Sequence, residues 1–146
     1  MQTSFTEKQL QNKDNKTSET IIRKCVHCGM CNATCPTYGI NGEELEGPRG
    51  RIYLIKDMLE NKKPATKEIA KHIDSCLSCY SCMTTCPSGV NYMHLIDHGR
   101  NYVEETYKRP FLDRVFRNIL SFVLPRPKVF LLMALSSKLI KPFSFL

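Results

Sequence analysis

The sequence lacks most of the features that would give it a chemistry of its own. It contains no G-x-G-x-x-G fingerprint, no phosphate-binding loop and no Ser/His/Asp constellation, so nothing indicates nucleotide binding or nucleophilic catalysis. Its longest apolar run is the seven residues 129–135, whereas a helix needs about 20 to cross a bilayer. The N-terminal residues have no apolar segment of the kind found in targeting peptides.

Acidic residues are almost missing from the C-terminal quarter. Residues 1–107 carry 13 basic and 13 acidic side chains, whereas residues 108–146 carry eight basic ones against Asp113 alone, which accounts for the net charge of +7. A basic balance can indicate nucleic-acid binding. No zinc finger, recognition helix or RNA-binding signature accompanies it, so we expect no nucleic-acid partner.

Cysteine is absent outside two runs, CVHCGMCNATCP and CLSCYSCMTTCP. Both read C-x2-C-x2-C-x3-C-P, and each cysteine of the first run recurs 51 positions later in the second. This is the bacterial ferredoxin pattern, in which the fourth cysteine of each run ligates the other cluster. The pattern predicts two [4Fe–4S] clusters. The predicted ligands are Cys25, Cys28, Cys31 and Cys86 for the first cluster, and Cys76, Cys79, Cys82 and Cys35 for the second.

Two other uses of the cysteines were weighed against iron–sulfur ligation. Structural zinc prefers two separated C-x2-C pairs over a triplet followed by a single cysteine. Disulfides require an oxidising compartment, and the sequence shows no signal that would direct the chain there. Both alternatives are therefore disfavoured.

The remaining pattern is helical. Apolar residues recur at helical spacing after Pro48, near Ile69 and after Tyr92, and no stretch alternates with a period of two. We therefore predict an all-α fold, an α-helical ferredoxin. The expected domains are a flexible N-terminal arm over 1–16, the two-cluster domain over 17–108, which opens on a helix 17–24 capped by Ser18, and a basic amphipathic helical tail over 109–146.

The histidines near the predicted clusters and the C-terminal tail leave alternatives. His94 and His98 stand four residues apart, a spacing that can chelate metal, but we expect them on a solvated helix face; His27 is expected to flank a sulfur without ligating iron. The tail has a strongly apolar face and basic residues. It either closes a protein core, its own or a neighbour's, or docks on an anionic membrane surface.

One family shares the sequence around the cysteines. The stretches RKCVHCGMCNATCPTYGINGEELEGPRGRIYLIKDMLE and HIDSCLSCYSCMTTCPSGVNY, with DHGR at 97–100, resemble the iron–sulfur subunit of bacterial glycolate oxidase, a glycolate dehydrogenase. The resemblance implies an oxidoreductase complex in which a flavoprotein subunit oxidises a 2-hydroxy acid, glycolate to glyoxylate, at FAD. This chain would pass the electrons toward a quinone. We expect it in the cytoplasm, either free or peripheral on the inner face of the cytoplasmic membrane.

The resemblance leaves two questions open. Members of that family continue into two repeats containing Cys-Cys-Gly, whereas this chain has no cysteine after Cys86; it is expected to be a fragment, one product of a split gene or a minimal electron carrier. The cysteine runs also suit a helical ferredoxin subunit of a heterodisulfide-reductase or succinate/fumarate type complex, and a non-redox zinc module is a third alternative. GPRGR at 47–51 favours the glycolate oxidase type.

Overall fold

The structure, a computed structural model, describes residues 1–140, with side chains up to residue 135. The chain forms two compact units, Met1–Tyr107 and Lys108–Leu146. No strand occurs in residues 1–140, which confirms the predicted all-α class. The helices of the first unit are α1 (Glu7–Leu10), α2 (Lys13–Lys24), α3 (Pro36–Asn41), α4 (Pro48–Asn61), α5 (Lys67–Asp74), α6 (Ser81–Thr85) and α7 (Tyr92–Thr106), with short 3-10 helices at Met30–Thr34 and Glu44–Glu46.

Helices α2, α4, α5 and α7 enclose the apolar core of the first unit. Ile55 of α4, Ile73 of α5 and Leu95 of α7 are fully buried, as the helical spacing of the apolar residues predicts. Gly99 permits the close contact between α4 and α7, because a Cβ there would lie 2.8 Å from the side chain of Ile55. The core thus depends on a glycine at the crossing of its two longest helices.

Helix boundaries follow local signals where these are strong. Pro48 occupies the first turn of α4, as predicted, where its missing N–H costs nothing. Thr66 caps α5 by accepting from the Ile69 N–H, and Asn91 caps α7 by accepting from the His94 N–H. These three helices begin at Pro48, Lys67 and Tyr92, in the segments where the helical spacing of apolar residues predicts helices.

The N-terminal segment differs from the expectation. Residues 1–16 were expected to form a flexible arm, but they contain α1 and the first turn of α2, which begins at Lys13 with Asn12 as its cap. Gln9 is buried, and its side-chain amide donates to the carbonyls of Leu59 and Glu60 at 2.9 and 2.8 Å. The segment is folded because Gln9 satisfies carbonyls at the end of α4 that lack helical partners.

Ser18 was expected to cap a helix, but it lies inside α2 and is fully buried. Its hydroxyl lies 2.7 Å from Nδ1 of His98, so the expected solvated face of α7 is wrong at that position. His98 is half-buried, and burial lowers its pKa. His94 and His98 are ring neighbours with centroids 6.1 Å apart, and no further metal-ligating side chain joins them in the described residues.

The second unit contains α8 (Phe111–Val123) and α9 (Pro127–Ile140). Helix α8 is amphipathic and leaves large apolar side chains exposed, among them Phe111, Leu112 and Phe116. No single helix of the described chain is long and apolar enough to span a membrane. Only α8 together with 127–135 reaches that length and composition, and these two helices are bent by 112°. The end of the predicted tail, residues 141–146, lies outside the described residues.

Candidate metal centre

The two cysteine loops share an unusual backbone conformation. His27 and Gly29 in the first loop, and Ser78 and Tyr80 at the equivalent positions of the second, all have positive φ, between 52° and 83°. Successive turns of this kind point backbone N–H groups to the inside of a loop, a common way of surrounding negatively charged sulfur or phosphate. Three of the four are not glycine, so the loops hold a conformation that is strained for most residues.

The short helix after each loop brings the two loops together. The 3-10 helix Met30–Thr34 packs against α6. At their contact, the Thr85 hydroxyl donates to Oγ1 of Thr34 at 3.2 Å, and these two residues are themselves 51 positions apart. The last cysteine of each run is thereby carried toward the other run.

Two neighbouring cavities result, each lined by cysteines from both runs. The first is lined by Cys25, Cys28, Cys31 and Cys86, together with Cys82. The second is lined by Cys35, Cys76, Cys79 and Cys82. We call them the first and the second site. Cys82, Pro48 and Tyr92 line both cavities. The crossed ligand assignment stays a prediction, and the four cysteines predicted for each cluster all line the same cavity.

All eight thiols are free, and their electrostatics suit a cationic group. Burial, followed by the charges of neighbouring cysteines, raises the pKa of Cys82 to about 12 and that of Cys31 to about 11. The backbone N–H and hydroxyl of Ser81 instead lower the pKa of the exposed Cys79. Crowded, buried thiols ionise at neutral pH only when positive charge compensates them, as coordinated iron does.

An unpartnered nitrogen supports the fit of an iron–sulfur cluster at the first site. His27 lines this cavity, and its Nδ1 accepts from Nε of Arg49 at 3.0 Å. Burial and the Arg49 charge lower the pKa of His27, so the neutral ring carries its proton on Nε2. That Nε2 is buried and has no hydrogen-bond partner among the described residues. A sulfur-rich group in the cavity would supply an acceptor, consistent with the expectation that His27 flanks a sulfur.

A buried polar network supports the second site. The guanidinium of Arg51, 1% exposed, donates to the carbonyl of His72 at 2.6 Å and to Oε2 of Glu46 at 2.9 Å. Glu46 also contacts Nδ1 of His72 at 2.7 Å and accepts from the Ser75 hydroxyl. Desolvation by burial works to raise the pKa of Glu46, but the bonds from Ser75 and His72 and the Arg51 charge outweigh it and hold that pKa below the usual range.

This network touches the predicted ligands of the second cluster directly. Nη1 of Arg51 lies 4.0 Å from Sγ of Cys35, and Oγ1 of Thr37 lies 3.2 Å from the same sulfur. Ser75 is the chain neighbour of Cys76. The cysteine spacing by itself does not predict this network. The signal was present in the motifs GPRGR and HIDSC, whose Arg51, His72 and Ser75 form the network.

The fold and the sites define a class of protein. Residues 21–90, just under half of the chain, match the family model described as a 4Fe-4S dicluster domain. The match confirms the predicted cofactors, two [4Fe–4S] clusters. No solved structure matches the chain.

The relatives narrow the class. The chain is 50% identical over 98% of its length to the glycolate oxidase iron–sulfur subunit of Escherichia coli, and 34% identical over 75% to the probable glycolate oxidase iron–sulfur subunit of Bacillus subtilis. It covers 35% and 25% of those proteins. It is also 30% identical, over 48% of its length, to the succinate dehydrogenase iron–sulfur subunit of Paracoccus denitrificans, of which it covers 29%. The predicted resemblance to glycolate oxidase iron–sulfur subunits is confirmed.

Proposed function

We propose that this chain is the electron-transfer part of a glycolate oxidase, or glycolate dehydrogenase, complex. It receives electrons from an FAD-containing flavoprotein subunit that oxidises glycolate to glyoxylate, and it passes them toward a quinone. The clusters, when bound, supply one-electron transfer. This chain holds them and carries no substrate chemistry.

One observation carries the proposal. The chain shares half of its residues with the Escherichia coli subunit over nearly its whole length, including the eight-cysteine region that lines the two cavities. Similarity to succinate dehydrogenase subunits covers about half of the chain. The chain spans about a third of the length of the Escherichia coli relative, so the activity of the whole complex is part of the proposal.

The ligand assignment belongs to the proposal as well. Cys25, Cys28, Cys31 and Cys86 hold the cluster of the first site, and the second cluster is held by Cys76, Cys79, Cys82 and Cys35. The linings of the two cavities support this grouping. Cys82 lines both cavities, and its place in the second run assigns it to the second site.

We further propose a cytoplasmic location with peripheral attachment to the inner face of the membrane. The support is the second unit, whose helix α8 exposes apolar side chains in a segment with eight basic residues and one acidic residue. Each basic side chain near an anionic bilayer contributes roughly 1 kcal/mol.

Iron and sulfide content, followed by reduction with substrate, tests the function. Anaerobically purified protein is expected to contain close to eight irons and eight labile sulfides, about four of each per cluster. Co-expressed with a glycolate-oxidising flavoprotein subunit, the chain is expected to show glycolate-dependent bleaching of its iron–sulfur absorption. Succinate serves as the matched control substrate. Bleaching by succinate alone would favour the succinate/fumarate type, and stoichiometric zinc without sulfide would refute electron transfer.

A further inference from the structure

The side chain of Tyr92 borders both sites, but its hydroxyl lies close to a cysteine sulfur of the second site. It is the first residue of α7, it is 4% exposed, and its side chain lines both cavities. Its hydroxyl lies 3.8 Å from Sγ of Cys76, a predicted ligand of the second site. A phenol has one proton to donate, and in the described chain that sulfur is the acceptor within its reach.

Further donors reach the sulfurs of the second site. Oγ1 of Thr37 lies 3.2 Å and Nη1 of Arg51 lies 4.0 Å from Sγ of Cys35, and Ser81 lowers the pKa of the Cys79 thiol. The position equivalent to Ser81 in the first run is Met30, which has no hydroxyl. Within residues 1–135, Thr37, Arg51 and Tyr92 place a hydroxyl or guanidinium group within hydrogen-bond distance of a cysteine sulfur. All of these sulfurs belong to the second site. The asymmetry is therefore present in both the sequence and the contacts.

Such donors change the redox property of the group that the sulfurs hold. Four thiolates around an oxidised core of formal charge +2 give a net charge of −2, and accepting one electron makes it −3. A hydrogen bond to a ligand sulfur stabilises the more negative form more strongly, so it raises the reduction potential. Burial of the Tyr92 hydroxyl strengthens the effect, because little water screens it.

We propose that Tyr92 is a potential-setting residue of the second site: its hydroxyl donates to Cys76 and raises the reduction potential of the cluster held there, leaving the first site unaffected. The inference rests on the proposed function in that both sites hold [4Fe–4S] clusters. The inference identifies Tyr92 as a residue that gives the two clusters different reduction potentials.

The test is a redox titration of the anaerobic holoprotein, followed by EPR that resolves the two reduced clusters. Tyr92→Phe removes one oxygen and keeps the ring that lines the cavities. The expected result is a downward shift of the second-site couple alone. A roughly tenfold change in its equilibrium constant corresponds to about 59 mV for one electron. The signal altered in Cys76→Ser identifies the second site.

The matched control is Tyr102→Phe, because Tyr102 lies on the same helix and packs partly buried against the core. It is expected to shift neither couple, whereas Ser81→Ala is expected to lower the second-site couple as Tyr92→Phe does. Equal shifts of both couples, no shift, or loss of the second cluster in Tyr92→Phe would each overturn the inference. Wild-type protein without iron and sulfide would overturn the proposed function and the inference together, and iron analysis distinguishes that result from the others.

Discussion

Replacing Arg51 by methionine is expected to destabilise the domain more than any change of a surface charge. The methionine chain fills part of the space but removes every donor of the guanidinium, which is 1% exposed. It leaves Glu46, whose side chain is 3% exposed, without its ion-pair partner at 2.9 Å. Breaking a buried pair in this way costs about 3–5 kcal/mol. Small domains are stable by only about 5–15 kcal/mol, so a large share of the stability is lost.

Urea unfolding of the anaerobic holoprotein, followed by helical circular dichroism, measures this cost. With m-values of about 1–3 kcal/mol per M, the midpoint should fall by about 1 M or more. Arg23→Met is the control, because the Arg23 side chain is 59% exposed in its i,i+4 pair with Glu19, and surface pairs contribute about 0–1 kcal/mol.

A second replacement separates charge from packing. If the unpaired carboxylate causes the loss, Arg51→Met combined with Glu46→Gln should be more stable than Arg51→Met alone, because no buried charge remains. A double variant no more stable than the single one, or an Arg51→Met midpoint equal to that of Arg23→Met, would refute the reasoning.

Three further predictions concern the ligands, pH and the second unit. Cys86→Ser should perturb the cluster of the first site in cluster-resolved EPR; damage confined to the second site would mean that each run ligates its own cluster. Burial lowers the folded pKa of His98, so its contribution to stability is complete above the unfolded value of 6.5 and is lost as the pH falls through the folded pKa. His98→Gln should therefore flatten the pH dependence of the unfolding midpoint below pH 6.5, and an unchanged slope would contradict it. Holoprotein should sediment with anionic liposomes and dissociate in high salt, whereas protein lacking 109–146 should not bind; equal binding by both would place the attachment elsewhere.

The features predictable from the sequence were those encoded by short-range patterns. The cysteine spacing indicated two clusters, and Pro48 with the helical spacing after it indicated α4. Such signals act within one or two helical turns, so a single segment is enough to reveal them.

The features that were missed depend on contacts between distant segments. In the sequence Gln9 is an ordinary polar residue of a segment predicted to be a loose arm. In the structure its amide donates to carbonyls 50 and 51 residues away, and this contact orders the segment. From the sequence alone Arg51 resembles a surface arginine, and its bonds to Glu46 and His72 are visible only in the structure. Burial of polar groups requires partners, and no local pattern specifies partners on another element.

The contact between Thr34 and Thr85 has a consequence for a peptide that carries one cysteine run alone. In an isologous dimer interface a residue near the two-fold axis touches its own copy, and Thr34 and Thr85 form the corresponding contact between sequence equivalents within one chain. The two cysteine runs thus meet through equivalent positions, and α4 and α5 lie in the segment that joins them. Under the predicted crossed assignment, an isolated peptide with only the first cysteine run has three ligands for its site and would need a second copy of itself to supply the fourth.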